Sequence, residues 1–212
     1  MLTWFSNMKV GVRVLIGMLV PVLGLAFYAS VSMVEKFGDS RELMQVGALA
    51  KFAPTVSALV HEMQKERGMS AGFVSSKGKT FADTLPTQRK DTDGSRAKLL
   101  EAVEAFDFAA YAPSLDSATK QALANVGKLD QMRGQVGNLG VTVPQMAKYY
   151  TGTIVSLLGI VDQMLLASTD DDVSKEIGAY ISFLQGKERA GRERAMGAGG
   201  FGSGKFQPAI YN

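Results

Sequence analysis

Two arginines in this chain fall where helical spacing calls for small or apolar side chains. A guanidinium in that setting is suited to holding an oxyanion. Residues 61–78 read HEMQKERGMSAGFVSSKG and residues 193–206 read ERAMGAGGFGSGKF, so Glu-Arg, a methionine two residues on, and a small-residue run ending in Phe are written twice. Guanidinium presents a planar fork of donors that matches planar oxyanions, and it keeps its charge at any physiological pH. Along the first segment Val56, Val60, Met63, Arg67, Ser70 and Val74 recur at spacings of four and three, a single bundle-facing stripe that includes Arg67. Along the second, Ile177, Tyr180, Leu184, Lys187, Gly191, Arg194 and Ala198 follow the same alternation, less cleanly because of Lys187.

An inward arginine more often meets a carboxylate than a ligand, and Glu66, Glu188 and Glu193 are all close in sequence. Neighbouring side chains on a helix point about 100° apart, however, so Glu66 and Glu193 are not the natural partners of the arginines beside them. The small residues Gly68, Ser70, Ala71, Gly72 and Ala195, Gly197, Ala198, Gly199 leave room beside the guanidinium groups. Two arginines brought into a site closed to water disfavour the closed state until a counter-ion arrives. An anion that prefers the closed arrangement then shifts the helices, and only that preference carries a signal. The candidate ligand residues are Arg67 and Arg194, supported by Gly68, Ser70, Gly72 and Gly197. The alternative is a structural helical bundle for dimerisation or protein docking, with the arginines paired internally.

The elements that must position these side chains read as all-α. Beyond residue 35 the chain has helical periodicity, few prolines and no bounded runs of alternating apolar and polar residues. Helices are expected over about 40–76, ending at Lys77-Gly78, over 83–106, over 115–139, and from Pro144 onward. A polar break follows at Ser168 to Asp172, then a helix from Val173 that fades after Arg194. Inward positions are Leu115, Val126, Leu129, Met132, Val136 and Leu139 in the third helix, and Tyr150, Ile154, Leu157, Leu158, Val161 and Leu165 in the fourth. Such helices pack most simply as an antiparallel bundle.

Val14 to Val34 contains no charge and, at roughly 20 residues, matches the length that crosses about 30 Å of hydrocarbon. It reads as a transmembrane helix in preference to a cleaved signal peptide. Lys9 and Arg13 precede it and Trp4 and Phe5 suit the interface, so residues 1–13 are expected in the cytoplasm and the domain from residue 40 outside it.

Composition narrows the function. The 212 residues are 46% hydrophobic, enough for one good core, and Lys plus Arg exceed Asp plus Glu only by 23 to 20, dispersed along the chain, so nucleic acid is not an expected partner. Cysteine is missing, which removes disulfides and thiol chemistry. His61-Glu62 opens like a zinc-protease motif, but His61 is the one histidine, so no metal site forms. Gly197 to Gly202 fits GxGxxG but follows a helix instead of a strand. No cofactor and no catalysis are expected.

HEMQKERGMSAGF, QRKDTD at Gln88 to Asp93, and GKERAGRERAMGAGGF at Gly186 to Phe201 together resemble the nitrate- and nitrite-sensing domain of bacterial transducers, over roughly residues 50 to 206. The opening MLTWFSNMKVGVRVLIGML resembles the first membrane segment of methyl-accepting chemotaxis proteins. The resemblance implies an all-helical sensor in the inner membrane with its domain in the periplasm, a homodimer, and a nitrate or nitrite ligand. Its ligand arginines map onto Arg67 and Arg194, with Arg89 and Arg192 as further candidates. It also implies a HAMP linker and a methylated signalling module; neither is present before Asn212, so the sequence reads as incomplete at that end.

Overall fold

The structure, a computed structural model, describes residues 9–108, 111–167 and 171–204. The expected interface residues Trp4 and Phe5, and residues 168–170 of the expected polar break, lie outside the described residues. Six α-helices follow in order: α1 Val10–Ser75, α2 Leu85–Glu104, α3 Pro113–Val126, α4 Leu129–Gly137, α5 Val143–Ala167 and α6 Asp171–Ser203. Among the described residues there is no strand, as the periodicity predicts.

The chain divides into two compact units, Met1–Gln45 and Val46–Asn212. In the first, Val10–Met33 is a 24-residue stretch of mean hydropathy 2.2 with none of it buried, long and apolar enough to cross a membrane. The second is a helical bundle. Its most apolar helix, α5, has a comparable length at Val143–Leu166 but a mean hydropathy of 1.2 and 44% burial, as befits a core helix. Met146, Tyr150, Ile154, Leu157 and Ile160 of α5 are fully buried, together with Val56, Leu59 and Met63 of α1. Helix α3 packs on one side of α5 and α6 on another.

Local chemistry sets the boundaries. Helix α1 stops where Lys77 and Gly78 take φ of 56° and 83°, and the Gly78 N–H returns to the Phe73 carbonyl at 2.8 Å. Helix α5 opens with a reciprocal cap. The Thr142 N–H donates to Gln145 Oε1 at 3.0 Å, the Gln145 N–H reaches Thr142 Oγ1 at 3.4 Å, and Pro144 occupies the first turn.

Three expectations change. The stretch 115–139 is two helices, parted at Gly127-Lys128, where the Gly127 N–H closes on the Leu123 carbonyl at 2.8 Å. The buried stripe keeps its spacing of four and three across the break: Leu115, Thr119, Ala122 and Val126 before it and Leu129, Arg133 and Val136 after it are all buried. Leu139 is not inward: it ends the segment in the left-handed region with φ of 54° and is 43% exposed. Finally, α6 does not fade after Arg194 but continues through its glycines to Ser203, anchored by buried Ala195 and Gly200.

Candidate functional site

Midway along the bundle part of α1, Glu66 and Arg67 are both fully buried. Adjacent positions on a helix diverge by about 100°, so the two charges enter different helix interfaces and need different partners.

Glu66 faces α4 and α5. Arg133 of α4 clasps it with two parallel bonds, Nε to Oε1 at 2.8 Å and Nη2 to Oε2 at 2.9 Å, and the Tyr150 hydroxyl donates to Oε1 at 2.8 Å. The same guanidinium extends to Asp93 at 2.7 Å and Asp130 at 3.2 Å. Burial by itself raises the Glu66 pKa. The bonds from Arg133, Thr92 and Tyr150, with the Arg133 charge, outweigh burial and hold the carboxyl below its ordinary 4.5. Arg89 belongs here: its Nε lies 3.9 Å from Glu66 Oε1, and its Nη2 donates to the Arg133 carbonyl at 3.4 Å. The resemblance-based candidate Arg89 is thus part of the Glu66 network, on the opposite side of α1 from Arg67's partners.

Arg67 faces α5 and α6. Its Nη1 donates to Glu188 Oε1 at 2.7 Å and to Thr151 Oγ1 at 2.8 Å, while Nη2 reaches Glu188 Oε2 at 3.3 Å. Arg192 Nε donates to the same Glu188 oxygen at 3.0 Å, and Gln64 Nε2 donates to the other at 2.8 Å. A single planar anionic group is therefore held by two guanidiniums and an amide. Arg67 Nε and Gln64 Oε1 are buried without a hydrogen-bond partner in the protein, as is Arg89 Nε in the Glu66 network.

Arg194 does not join Arg67. The buried positions of α6 among the described residues are Leu184, Glu188, Gly191, Ala195 and Gly200, which leaves Lys187 partly buried and Arg194 exposed. Partial burial first, then the charges of Lys187, Lys65 and Arg194, against that of Glu62, lower the pKa of His61 from 6.5. His61 lies six residues before Arg67, about 9 Å along the helix axis. Arg192 takes the second guanidinium position that the spacing assigned to Arg194.

The expected supporting residues divide in the same way. Ser70 is fully buried one turn beyond Arg67. A β-carbon at Gly68 or Gly197 would meet nothing within 4 Å, so neither glycine serves a close approach. One at Gly72 would stand 2.6 Å from the Phe81 ring, so this glycine accommodates the turn after α1 instead of an anion. The glycine that matters is Gly191, where a β-carbon would come within 3.0 Å of Arg67 Nη2.

Long helices cinched by buried charges paired between them define a helical bundle. The sequence pattern of the family described as nitrate and nitrite sensing matches residues 58–212, and the chain belongs to that family. The nitrate regulatory protein of Klebsiella oxytoca is 31% identical over 179 residues, 81% of this chain and 43% of that protein. The solved structure of the NasR transcription antiterminator aligns with a TM-score of 0.75 at 30% identity, across 84% of this chain and 50% of that one. The chain thus spans about half the length of the relatives it matches.

Two consequences concern stability. With its folded pKa below the unfolded one, Glu66 contributes fully above pH 4.5, and the contribution is lost as the pH falls through the lowered value. Thermal unfolding midpoints should decline on acidification below that range, and Glu66→Gln should flatten the acid limb while lowering the midpoint at pH 7. An acid limb parallel to the parent's would remove Glu66 from that role. Separately, Arg67→Met alone should cost about 3–5 kcal/mol in urea unfolding by stranding a buried carboxylate, whereas Arg67→Met with Glu188→Leu should recover most of the loss.

Proposed function

We propose that this chain is a membrane-anchored, non-catalytic sensor in which nitrate or nitrite is held at Arg67, with Arg192 as the second guanidinium. The observation that carries the reading is the fully buried Arg67, facing a carboxylate that it shares with Arg192. Nitrate and nitrite are planar oxyanions of single charge, so the donor fork that grips a carboxylate suits them too. Family membership supports the ligand class, and the burial of Arg67 beside Arg192's carboxylate partner supports these residues. The relatives named above are regulators, one of them a transcription antiterminator. The output of the present chain is accordingly framed as signal transduction, and chemotaxis is one form of it, suggested by the N-terminal resemblance.

Val10–Met33 supports the anchor, and because α1 carries both this segment and Arg67, one helix belongs to both the anchor and the site. Lys9 and Arg13 before the apolar stretch favour a cytoplasmic N-terminus and a sensor domain outside the cytoplasm. A purely architectural role for the Arg67–Glu188 pair is the competing reading, favoured by the closure of that pair at 2.7 Å.

Calorimetric titration of the full chain in detergent separates the two. Nitrate and nitrite should bind saturably, and chloride and sulfate at matched ionic strength should not. Arg67→Ala should abolish the response and Arg192→Ala should weaken it about tenfold, roughly one charge-assisted bond, with a smaller loss for Arg194→Ala. Loss on Arg194→Ala with none on Arg192→Ala would show that α6 binds the anion in a rotated register. Identical heats for all four salts would favour the architectural reading. For the anchor, the chain should stay with membranes through alkaline carbonate washing, and alkaline phosphatase fused after Ser203 should be active; a soluble chain or an inactive fusion would overturn the location.

A further inference from the structure

We infer that Glu188 is a built-in competitor for the anion site: its carboxylate occupies the place of the planar anion on Arg67 and Arg192, and the ligand binds by exchange with it. The inference rests on the reading of Arg67 as the anion site and adds how that site is regulated.

Four groups converge on the anion or its holder. Arg67 and Arg192 both donate to Oε1, Gln64 donates to Oε2, and Thr151 steadies the Arg67 Nη1 that grips Oε1. A carboxylate and a nitrite or nitrate ion share a planar arrangement of two oxygens on a central atom, each carrying one negative charge. Exchange therefore leaves the charge around Arg67 balanced. Addition would instead place a second anion beside a buried carboxylate, which costs heavily in this environment. Tetrahedral anions match neither the shape nor the charge of what is replaced.

The immediate surroundings favour exchange over a purely structural clasp. Arg67 Nε is a buried donor that Glu188 leaves unmet, so the carboxylate satisfies this guanidinium incompletely. Gly191, one turn from Glu188, provides clearance at Arg67 Nη2 that any side chain would remove. Arg192 is partly exposed, which gives a displaced carboxylate and its second guanidinium a route to solvent along the outer edge of α6.

Displacement also supplies the differential affinity that a signal needs. Glu188 on Arg67 ties α6 to α1, and a free anion on Arg67 does not. Ligand binding therefore breaks a bond between helices while preserving the charge balance at its centre, and the equilibrium moves by the difference between the two states. A site filled by its own carboxylate about nine-tenths of the time has its apparent affinity reduced about tenfold.

The test uses the full chain in detergent carrying Glu188→Ala or Glu188→Gln, with thermal unfolding and nitrate calorimetry as readouts. Glu188→Ala should lower the unfolding midpoint. Nitrate, nitrite and formate, a free carboxylate that stands for the missing side chain, should restore it, and sulfate at equal ionic strength should not. Nitrate should bind both variants about tenfold or more tightly than the parent. Should Glu188→Ala fail to fold without salt, folding on addition of nitrate or formate supports exchange, and Glu188→Gln carries the affinity comparison. Unchanged or weaker nitrate binding in the variants, in a protein where Arg67→Ala still abolishes binding, would overturn the competitor while leaving the site intact. Nitrate binding in neither parent nor variants would overturn both.

Discussion

Two opposite charges stand side by side on α1 and both are removed from water, and this constraint shapes the bundle around them. Neither charge is tolerable alone in the interior, and neither can neutralise its neighbour, because the helix aims them apart. Glu66 therefore calls for a cation on one side and Arg67 for an anion on the other. Arg133 on α4 and Glu188 on α6 meet those demands, and α5 stands between them, lending Tyr150 to the first pair and Thr151 to the second. A single apolar cluster that draws on all six helices surrounds these charges, while the charges fix which faces meet.

The two networks differ in how their carboxylates are shared. Around Glu66 the carboxylate receives bonds to both oxygens from Arg133 and a third from Tyr150, and Arg133 is further held by Asp93 and Asp130. Around Arg67 the carboxylate is shared with a partly exposed arginine, and each network leaves one buried guanidinium Nε without a hydrogen-bond partner, Arg67 Nε here and Arg89 Nε beside Glu66. On the Arg67 side a buried cation meets a carboxylate that a second guanidinium also holds.

Much of this was legible beforehand. The all-α class, the end of α1 at Lys77-Gly78, the start of α5 near Pro144 and the inward placement of Arg67 all follow from periodicity and capping chemistry. The divergence of Glu66 from Arg67 follows from helix geometry alone. The partners were harder for a definite reason. Leu129 and Val136 are seven residues apart and both buried, and so are Leu184 and Gly191; between such fixed points a helix admits either the third or the fourth residue. Spacing preferred Met132 and Lys187, whereas the interior holds Arg133 and Glu188. Only the charge waiting on α1 settles the choice, and that is tertiary information. The same ambiguity after Gly191 leaves Ala195 buried and Arg194 exposed.

Tyr150 and Thr151 are consecutive on α5 and diverge just as Glu66 and Arg67 do, each hydroxyl serving a different network. Facing dipeptides on two helices therefore interlock, with α4 and α6 closing the two sides. A lone exchange at 66, 67, 133 or 188 strands a charge, so descendants of this sequence are free to drift over their outer faces yet must change these four positions in compensated pairs. Mutational history in such a molecule would be written as linked double steps in its middle and as independent single steps everywhere else.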